Sequence, residues 1–158
     1  MKRAICVLLA GMMTLSLAAC GGKQSKNVDL TAYFDSLVQS QGWDENYMAD
    51  MPDDMLDTYY PGLRDIETRQ FIAKAPMMSA VVNEIVLMEC TSPEDAQKAA
   101  DILNQRVTEQ ADGGAWYPAS MEAWEDAQVI SNDRYVALLA SSSHQSEAAE
   151  LFNAKFNG

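Results

Sequence analysis

Residues 81–95 read VVNEIVLMECTSPED, and they decide the fold because a strand and the start of a helix follow one another there. The first ten of them are mostly β-branched or apolar, which predicts a strand over residues 81–90. Val86, Met88 and Cys90 would share one face of this strand, and Ile85 and Leu87 the other. A strand with two apolar faces is typical of the centre of a sheet that is covered on both sides.

The residues after this strand give the clearest helix start in the chain. Ser92 is placed to cap the helix, Pro93 suits its first position, and Asp95 lies where the acid of a capping box belongs. An apolar stripe at steps of three and four follows, formed by Ala96, Ala99, Leu103, Val107 and Ala111. Gly113 and Gly114 are predicted to end the helix, whose small alanines would let it approach a sheet closely.

Two hairpins are predicted around this strand and helix. Residues 70–74 form the antiparallel partner of the strand at 81–90. Residues 127–131 and 135–141 form a second hairpin, with Asn132 and Asp133 as its turn, since both turn positions favour φ > 0. Four more helices are expected: one capped by Asp29 or Thr31 and ended by Gly42, one over 53–59 capped by Asp50 or Met51, one over 119–126, and one capped by Ser146.

The predicted fold class is α+β. It has a four-stranded antiparallel sheet built from two β-hairpins, each followed by helix, with the helices mainly on one face and N-terminal helices added. In domain terms, residues 1–19 are predicted to be a signal peptide, residues 20–28 an acylated cysteine with a flexible tether, and residues 29–158 a single domain.

The N-terminus has the pattern of a secretory signal. Lys2 and Arg3 precede an uncharged apolar run over residues 4–19, which is slightly short of the ~20 residues that span a bilayer. The run ends in Leu17-Ala18-Ala19-Cys20, which resembles the lipobox of bacterial lipoproteins. That resemblance implies diacylglycerol on Cys20 and cleavage after Ala19, hence an anchor on the extracytoplasmic face of the cell membrane. The alternatives are an ordinary signal peptide with an incidental cysteine, or an uncleaved membrane helix.

The chain also resembles a family of Firmicutes lipoproteins that share a domain of unknown function, number 4358. The similarity is carried by residues 74–78 and 83–86 in the first hairpin, by Tyr117-Pro118, and by residues 127–130 and 132–136 in the second hairpin. It covers roughly residues 29–156. The resemblance implies the same fold and the same envelope location, and it brings no activity with it.

Composition excludes some classes of partner. The chain is acidic, with a net charge of −12, so its surface repels nucleic acid and anionic lipid. It has three cysteines: Cys6 lies in the signal peptide, Cys20 would carry lipid, and Cys90 is left without an intrachain partner. We therefore expect Cys90 to be a small buried hydrophobe rather than a reactive thiol.

Metal-binding patterns have simpler structural explanations. Met48, Met51 and Met55 could bring three thioethers to one helical face for Cu(I), but the same spacing is typical of a core stripe. A cluster of acids could hold calcium, but it lacks the EF-hand pattern and suits a solvated helix start; it comprises Asp50, Asp53, Asp54 and Asp57. We predict no resident metal and no cofactor.

Catalytic patterns are equally weak. His144 is the only histidine, and no nucleophile elbow, P-loop, dinucleotide fingerprint or HExxH motif occurs. Glu84 and Glu89 would fall on opposite faces of their strand, so they cannot act together as a carboxylate pair. No catalytic residue is predicted.

Aromatic side chains give the best hint of a binding surface. Seven of them lie in predicted loops and short helices: Trp43, Tyr47, Tyr59, Tyr60, Trp116, Tyr117 and Trp124. Together they could bind protein or glycan, or they could instead fix the loops to the core.

The sequence thus favours a non-enzymatic, lipid-anchored envelope protein that binds another protein or a small ligand at the membrane surface. One alternative is an enzyme or accessory subunit of cell-envelope metabolism. The other is soft-metal handling through the Met-rich segment.

Overall fold

A computed structural model describes residues 26–43, 48–78 and 81–157. The predicted signal peptide, Cys20 and Tyr47 lie outside the described residues. Within these ranges no helix has the length and hydropathy needed to cross a membrane. The elements are α1 (Leu30–Gln41), β1 (Met48–Asp50), α2 (Asp53–Tyr59), β2 (Thr68–Pro76), β3 (Asn83–Cys90), α3 (Pro93–Glu109), α4 (Pro118–Glu125), β4 (Gln128–Asn132), β5 (Tyr135–Ser141) and α5 (Gln145–Ala154).

The sheet is antiparallel throughout, in the order β1-β2-β3-β5-β4. All eight residues of β3 are buried at its centre, which confirms the prediction from the two apolar faces. Both predicted hairpins are present, as β2–β3 and β4–β5. The prediction of four strands was short by one, because Met48 pairs with Pro76 and starts a three-residue edge strand.

Helices cover both faces of the sheet, so the prediction that they lie mainly on one face was wrong. Val86, Met88 and Cys90 face a core completed by α2, α3 and α4. Ile85 and Leu87 face a second core, completed by α1 and α5. Each face of β3 is apolar because each has its own helical layer to bury.

Two helices, α1 and α3, begin at N-cap residues that were predicted from the sequence. Asp29 Oδ1 accepts a hydrogen bond from the Ala32 amide at 3.0 Å, and Ser92 Oγ accepts one from the Asp95 amide at 3.1 Å. The predicted span of α2 is confirmed, but Pro52 is its N-cap rather than Asp50 or Met51.

Backbone conformation shifts the last two boundaries from their predicted positions. The turn between β4 and β5 is one residue later than predicted, with Asp133 at φ 53°. His144, at φ 65°, is the N-cap of α5 in place of Ser146. Asparagine, aspartate and histidine tolerate this left-handed region better than most residues, which explains why such side chains stand at these turns.

Candidate ligand-binding cavity

A cavity of about 640 Å³ opens beside the tip of the β2–β3 hairpin. Its walls come from α2, from the C-terminal end of α3 with the turn that follows, and from α4. Ligand sites typically enclose ~300–1,000 Å³, so the volume suits a small organic ligand or a few residues of a peptide.

A buried ion pair forms the floor of the cavity. Glu84, near the start of β3, accepts hydrogen bonds from Arg106 Nε at 3.1 Å and from Arg106 Nη2 at 3.2 Å. The Tyr60 hydroxyl also donates to Glu84 Oε1. Both charged side chains are about nine-tenths buried. Because each charge in a buried pair has lost its hydration, each depends on its hydrogen-bonded partner for stabilisation.

Aromatic rings hold the Arg106 guanidinium in place. Its Cζ lies 3.9 Å from the ring centroid of Tyr59 and 5.3 Å from that of Trp124, both within cation–π distance. Burial alone would lower the pKa of Arg106, but the hydrogen bonds and charge of Glu84 outweigh it and raise the pKa above its usual value. Burial also raises the pKa of Tyr60, and the Glu84 carboxylate raises it further. Arg106 is therefore a cation and Tyr60 a neutral donor.

One buried polar atom of a lining residue lacks a hydrogen-bond partner. Asn83 is only 6% exposed, and among the described residues its Oδ1 has no hydrogen-bond partner. A buried acceptor without a partner destabilises the fold by about 1–3 kcal/mol, and such groups are rare in native proteins. The polar lining also includes Ser120 and Gln110.

The rim is apolar and exposed. In the described part of the chain seven large hydrophobic side chains are exposed, and four of them line this cavity: Met77, Val81, Trp116 and Tyr117. Trp116 is 92% exposed and Met77 is 75% exposed. Met78 adds a further exposed side chain beside Met77. Clustered exposure of this kind marks interaction sites, whereas single exposed hydrophobic residues are ordinary.

A turn of unusual geometry leads into the aromatic side of the rim. α3 is followed by a turn over Gln110–Gly114, in which the backbone leaves helical geometry at Asp112 and Gly113 has φ 111°. A Cβ on Gly114 would lie 2.6 Å from the carbonyl oxygen of Glu109, so no other residue fits that position without a backbone shift. The two glycines thus fix the path of the chain into Trp116 and Tyr117.

The predicted aromatic set divides between three locations. Tyr59, Trp116, Tyr117 and Trp124 line the cavity, and Tyr60 lies beneath it against Glu84. Trp43 packs on the opposite core, and Tyr47 lies outside the described residues. The sequence interpretation missed Asn83 and Arg106, and it considered Glu84 only as half of a carboxylate pair. The available signal was a charged residue at a core position: Arg106 lies three residues after Leu103, on the apolar stripe of α3.

A second buried carboxylate lies on the other face of β3. Glu89 accepts from Arg134 Nε at 2.8 Å and from the Gln70 amide. Gln70 also donates to the Val28 carbonyl at 2.8 Å and accepts from the Leu30 amide at 2.9 Å. Burial would raise the pKa of Glu89, but the hydrogen bonds from Gln70 and Arg134 prevail and lower it. This network attaches the start of the domain to the sheet.

The residues considered for metal binding are dispersed. Met48 lies in β1 and packs in the α1–α5 core, so the three methionines do not share one helical face. Met51 is buried in the α3 core, and Met55 lines the cavity. Among the described residues no group of three or more His, Cys, Asp or Glu side chains could hold a metal ion.

Two of the acids in α2 and the single histidine form ion pairs or contacts on the surface. Arg64 binds Asp53 at 2.7 Å and Asp57 at 3.0 Å. His144 contacts Glu147 at 2.6 Å on the surface and does not line the cavity. Cys90 is buried, and burial raises the pKa of its thiol to about 11.

Comparison with known proteins identifies a family. The family model described as Domain of unknown function (DUF4358) matches residues 41–141, a span that includes β1 to β5 and every residue of the cavity. No curated protein and no solved structure matches the chain.

Proposed function

The chain belongs to the DUF4358 family, and we propose that it is a lipid-anchored binding module of the cell envelope that takes its ligand into the cavity above Glu84 and Arg106. One observation carries the proposal. Four exposed apolar side chains surround a concave site whose floor holds fixed, buried polar groups. Sites that bind small molecules combine these same features, namely apolar walls with a few placed polar groups.

The position of the cavity favours a ligand, rather than the membrane surface, as what binds there. Val28 is the last residue of the proposed tether. Its amide donates to the Tyr135 hydroxyl, and its carbonyl accepts from Gln70, which lies beside Glu89. The cavity begins at Glu84, five residues away along β3 and therefore about 17 Å along the strand. Val28 and the cavity thus lie at opposite ends of the strand, and the acidic surface would repel anionic lipid.

The anchor is tested by acylation. Cells expressing the chain are grown with an alkyne analogue of palmitate, and the protein is recovered and labelled by click chemistry. We expect wild type and the control Cys90→Ala to carry the label in the membrane fraction. Cys20→Ser should lose both the label and the membrane association, because one covalent site supplies the lipid. Label or membrane association that persists in Cys20→Ser would contradict the anchor.

Binding is tested with a fragment library and methyl NMR of the methionines. Met55 and Met77 line the cavity, whereas Met48 packs in the other core. We expect fragments that bind to shift the Met55 and Met77 methyl signals and to leave Met48 unchanged. Trp116→Ala should weaken these fragments, and Leu151→Ala, an exposed hydrophobic residue outside the cavity, should not. Failure of all fragments to move Met55 or Met77 would refute the binding function.

A further inference from the structure

Three polar side chains in the cavity lining have hydrogen-bonding capacity that the fold does not use. Arg106 donates from its Nε and Nη2 to Glu84, and its Nη1 makes no hydrogen bond to any described residue. The Gln110 amide and the Ser120 hydroxyl also lack a hydrogen bond within the described chain. Among the buried and half-buried residues described, Asn83 Oδ1 is the only unpartnered side-chain polar atom that is fully enclosed. The other three groups are therefore accessible, and we call them the open polar groups.

The open polar groups suit a ligand that both donates and accepts hydrogen bonds. Arg106 Nη1 can only donate, whereas the Gln110 amide and the Ser120 hydroxyl can each donate and accept. A hydroxyl group on a ligand matches this mixed set, because it too has one donor and two acceptor lone pairs. The lining thus favours a ligand that carries several hydroxyls.

The ion pair on the cavity floor limits the charge of that ligand. Glu84 and Arg106 are the charged residues of the described lining, and each already neutralises the other. An anion would meet an acidic protein and a guanidinium that is already paired, and a cation would meet a carboxylate that already accepts three hydrogen bonds. A charged group desolvated here would lack a counterion, which is costly. The ligand should therefore be uncharged.

Two exposed rings lie on the rim of the same cavity. Trp116 is 92% exposed and Tyr117 is 60% exposed, and Met77 and Val81 extend the apolar rim. The face of an aromatic ring carries partial negative charge, so it attracts C–H groups, whose hydrogens are weakly positive. A sugar ring has C–H groups on its faces and hydroxyls around its edge. It can therefore stack on an exposed ring while its hydroxyls reach polar side chains.

A peptide finds less to bind in this cavity. Peptides that add a strand to a sheet need a free edge, but β2 pairs with β1 and β3, and β3 pairs with β2 and β5. Capture of a terminal carboxylate needs an unpaired positive group, whereas Arg106 is neutralised by Glu84. We infer that the cavity binds a short uncharged glycan, stacked on the exposed rings and hydrogen-bonded by the open polar groups. This inference rests on the proposed function and adds the class of ligand.

The test uses the full-length protein and defined oligosaccharides. Neutral oligomers of glucose, mannose or N-acetylglucosamine are screened for shifts of the Met55 and Met77 methyl signals, and dissociation constants are measured by titration calorimetry. We expect at least one oligomer to bind in the cavity. Trp116→Ala should weaken that binding by about twofold to tenfold, the worth of one aromatic contact. Leu151→Ala, which lies outside the cavity, should bind like wild type.

Two further variants test the open polar groups and leave the ion pair intact. Gln110→Met and Ser120→Ala each remove one open polar group. Each should weaken binding of the same oligosaccharide by about threefold to tenfold, the worth of a single hydrogen bond. Gln105→Met, at an exposed glutamine of α3 outside the lining, is the matched control and should keep the wild-type affinity. Unchanged affinity in both Gln110→Met and Ser120→Ala would overturn the inference.

The proposed function and the ligand class fail separately in this design. If no neutral oligosaccharide binds while capped apolar peptides or other fragments shift Met55 and Met77, the glycan inference is wrong and the binding function stands. If none of these probes shifts the two signals, both are wrong. Tighter binding of oligosaccharides with carboxylate or phosphate groups than of neutral ones would also overturn the inference, because it would show that the cavity accepts an anion.

Discussion

Two buried carboxylates lie on the same strand, β3, and their surroundings differ. Glu89 is bound by Gln70 and Arg134 in a network that attaches the start of the domain to the sheet. Glu84 is bound by Arg106 and Tyr60 next to an open cavity. Both are buried ion pairs, so burial of charge alone does not distinguish a binding site from a structural network. What distinguishes Glu84 is its neighbour Asn83, whose acceptor has no partner in the described chain.

The largest expected effect comes from breaking the pair at the cavity. Glu84→Leu leaves the Arg106 guanidinium buried without its counterion, which should lower the free energy of unfolding by roughly 3–5 kcal/mol. Urea unfolding followed by circular dichroism would measure it. The double variant Glu84→Leu/Arg106→Met should recover most of the loss, because no unpaired charge remains.

Glu89→Leu sharpens the comparison. Arg134 lies in the turn between β4 and β5, from which its guanidinium can move into water, so this variant should lose less stability than Glu84→Leu. If Glu89→Leu lowers the free energy of unfolding more than Glu84→Leu does, then Arg106 does not depend on its counterion more than Arg134 does.

The second-largest effect concerns the side-chain amide of Gln70, which is hydrogen-bonded on both its oxygen and its nitrogen, unlike the Oδ1 of Asn83, which has no partner in the described chain. Gln70→Leu removes hydrogen bonds to Glu89, the Val28 carbonyl and the Leu30 amide, and should lower the free energy of unfolding by about 1–3 kcal/mol. Hydrogen exchange at the Leu30 amide should accelerate at the same time. Gln105→Leu, on the exposed face of α3, is the control and should stay within about 0.5 kcal/mol of wild type. Unchanged exchange at Leu30 would contradict the role given to Gln70.

The third effect is a dependence on pH at the Glu89 end. Hydrogen bonds lower the pKa of Glu89 in the folded protein below its ordinary value of 4.5. The folded state therefore holds this carboxylate ionised more strongly than the unfolded state does. The resulting stability is present at neutral pH and is lost as the pH falls below about 4.5 and through the lowered folded pKa.

Glu89→Gln isolates that contribution. Denaturation at pH 7, 5, 4 and 3 should show a shallower acid loss in Glu89→Gln than in wild type. Glu122→Gln, which removes one exposed carboxylate, controls for the change in net charge. Equal slopes for wild type and Glu89→Gln would refute the stabilising role of the ionised Glu89.

The sequence predicts the frame of the fold because the frame rests on local patterns. The nearly continuous apolar run over residues 81–90 specifies a strand with two apolar faces, and the Ser92 cap with its apolar stripe specifies α3. β1 was missed because three residues give too short a pattern to reveal pairing with Pro76. Helices on both faces were already implied by the two apolar faces of β3, but which helix covers which face depends on tertiary contacts.

The cavity was less predictable than the fold for a physical reason. Glu84 and Arg106 are 22 positions apart, and they meet only because α3 packs back onto β3 in one particular register. An arginine near the end of a helix is usually solvated, so its place on the apolar stripe was the one usable signal. The aromatic side chains were noticed from their type, but Trp43 and Trp124 belong to opposite cores, which no local pattern reveals.

The smallest effect should also have the opposite sign. Asn83→Leu replaces a buried acceptor that has no partner in the described chain with an apolar side chain of similar size. It should raise the free energy of unfolding of the unliganded protein by about 1 kcal/mol, since the penalty of the orphaned oxygen disappears. Such a gain is the reverse of the loss expected for Gln70→Leu, although both changes turn an amide into leucine. Asn83→Asp is the control and should destabilise, because a carboxylate there would be buried without a cation of its own. A loss of about 1 kcal/mol or more in the free energy of unfolding of Asn83→Leu would mean that Asn83 stabilises the fold. The two ends of β3 would then both be structural networks.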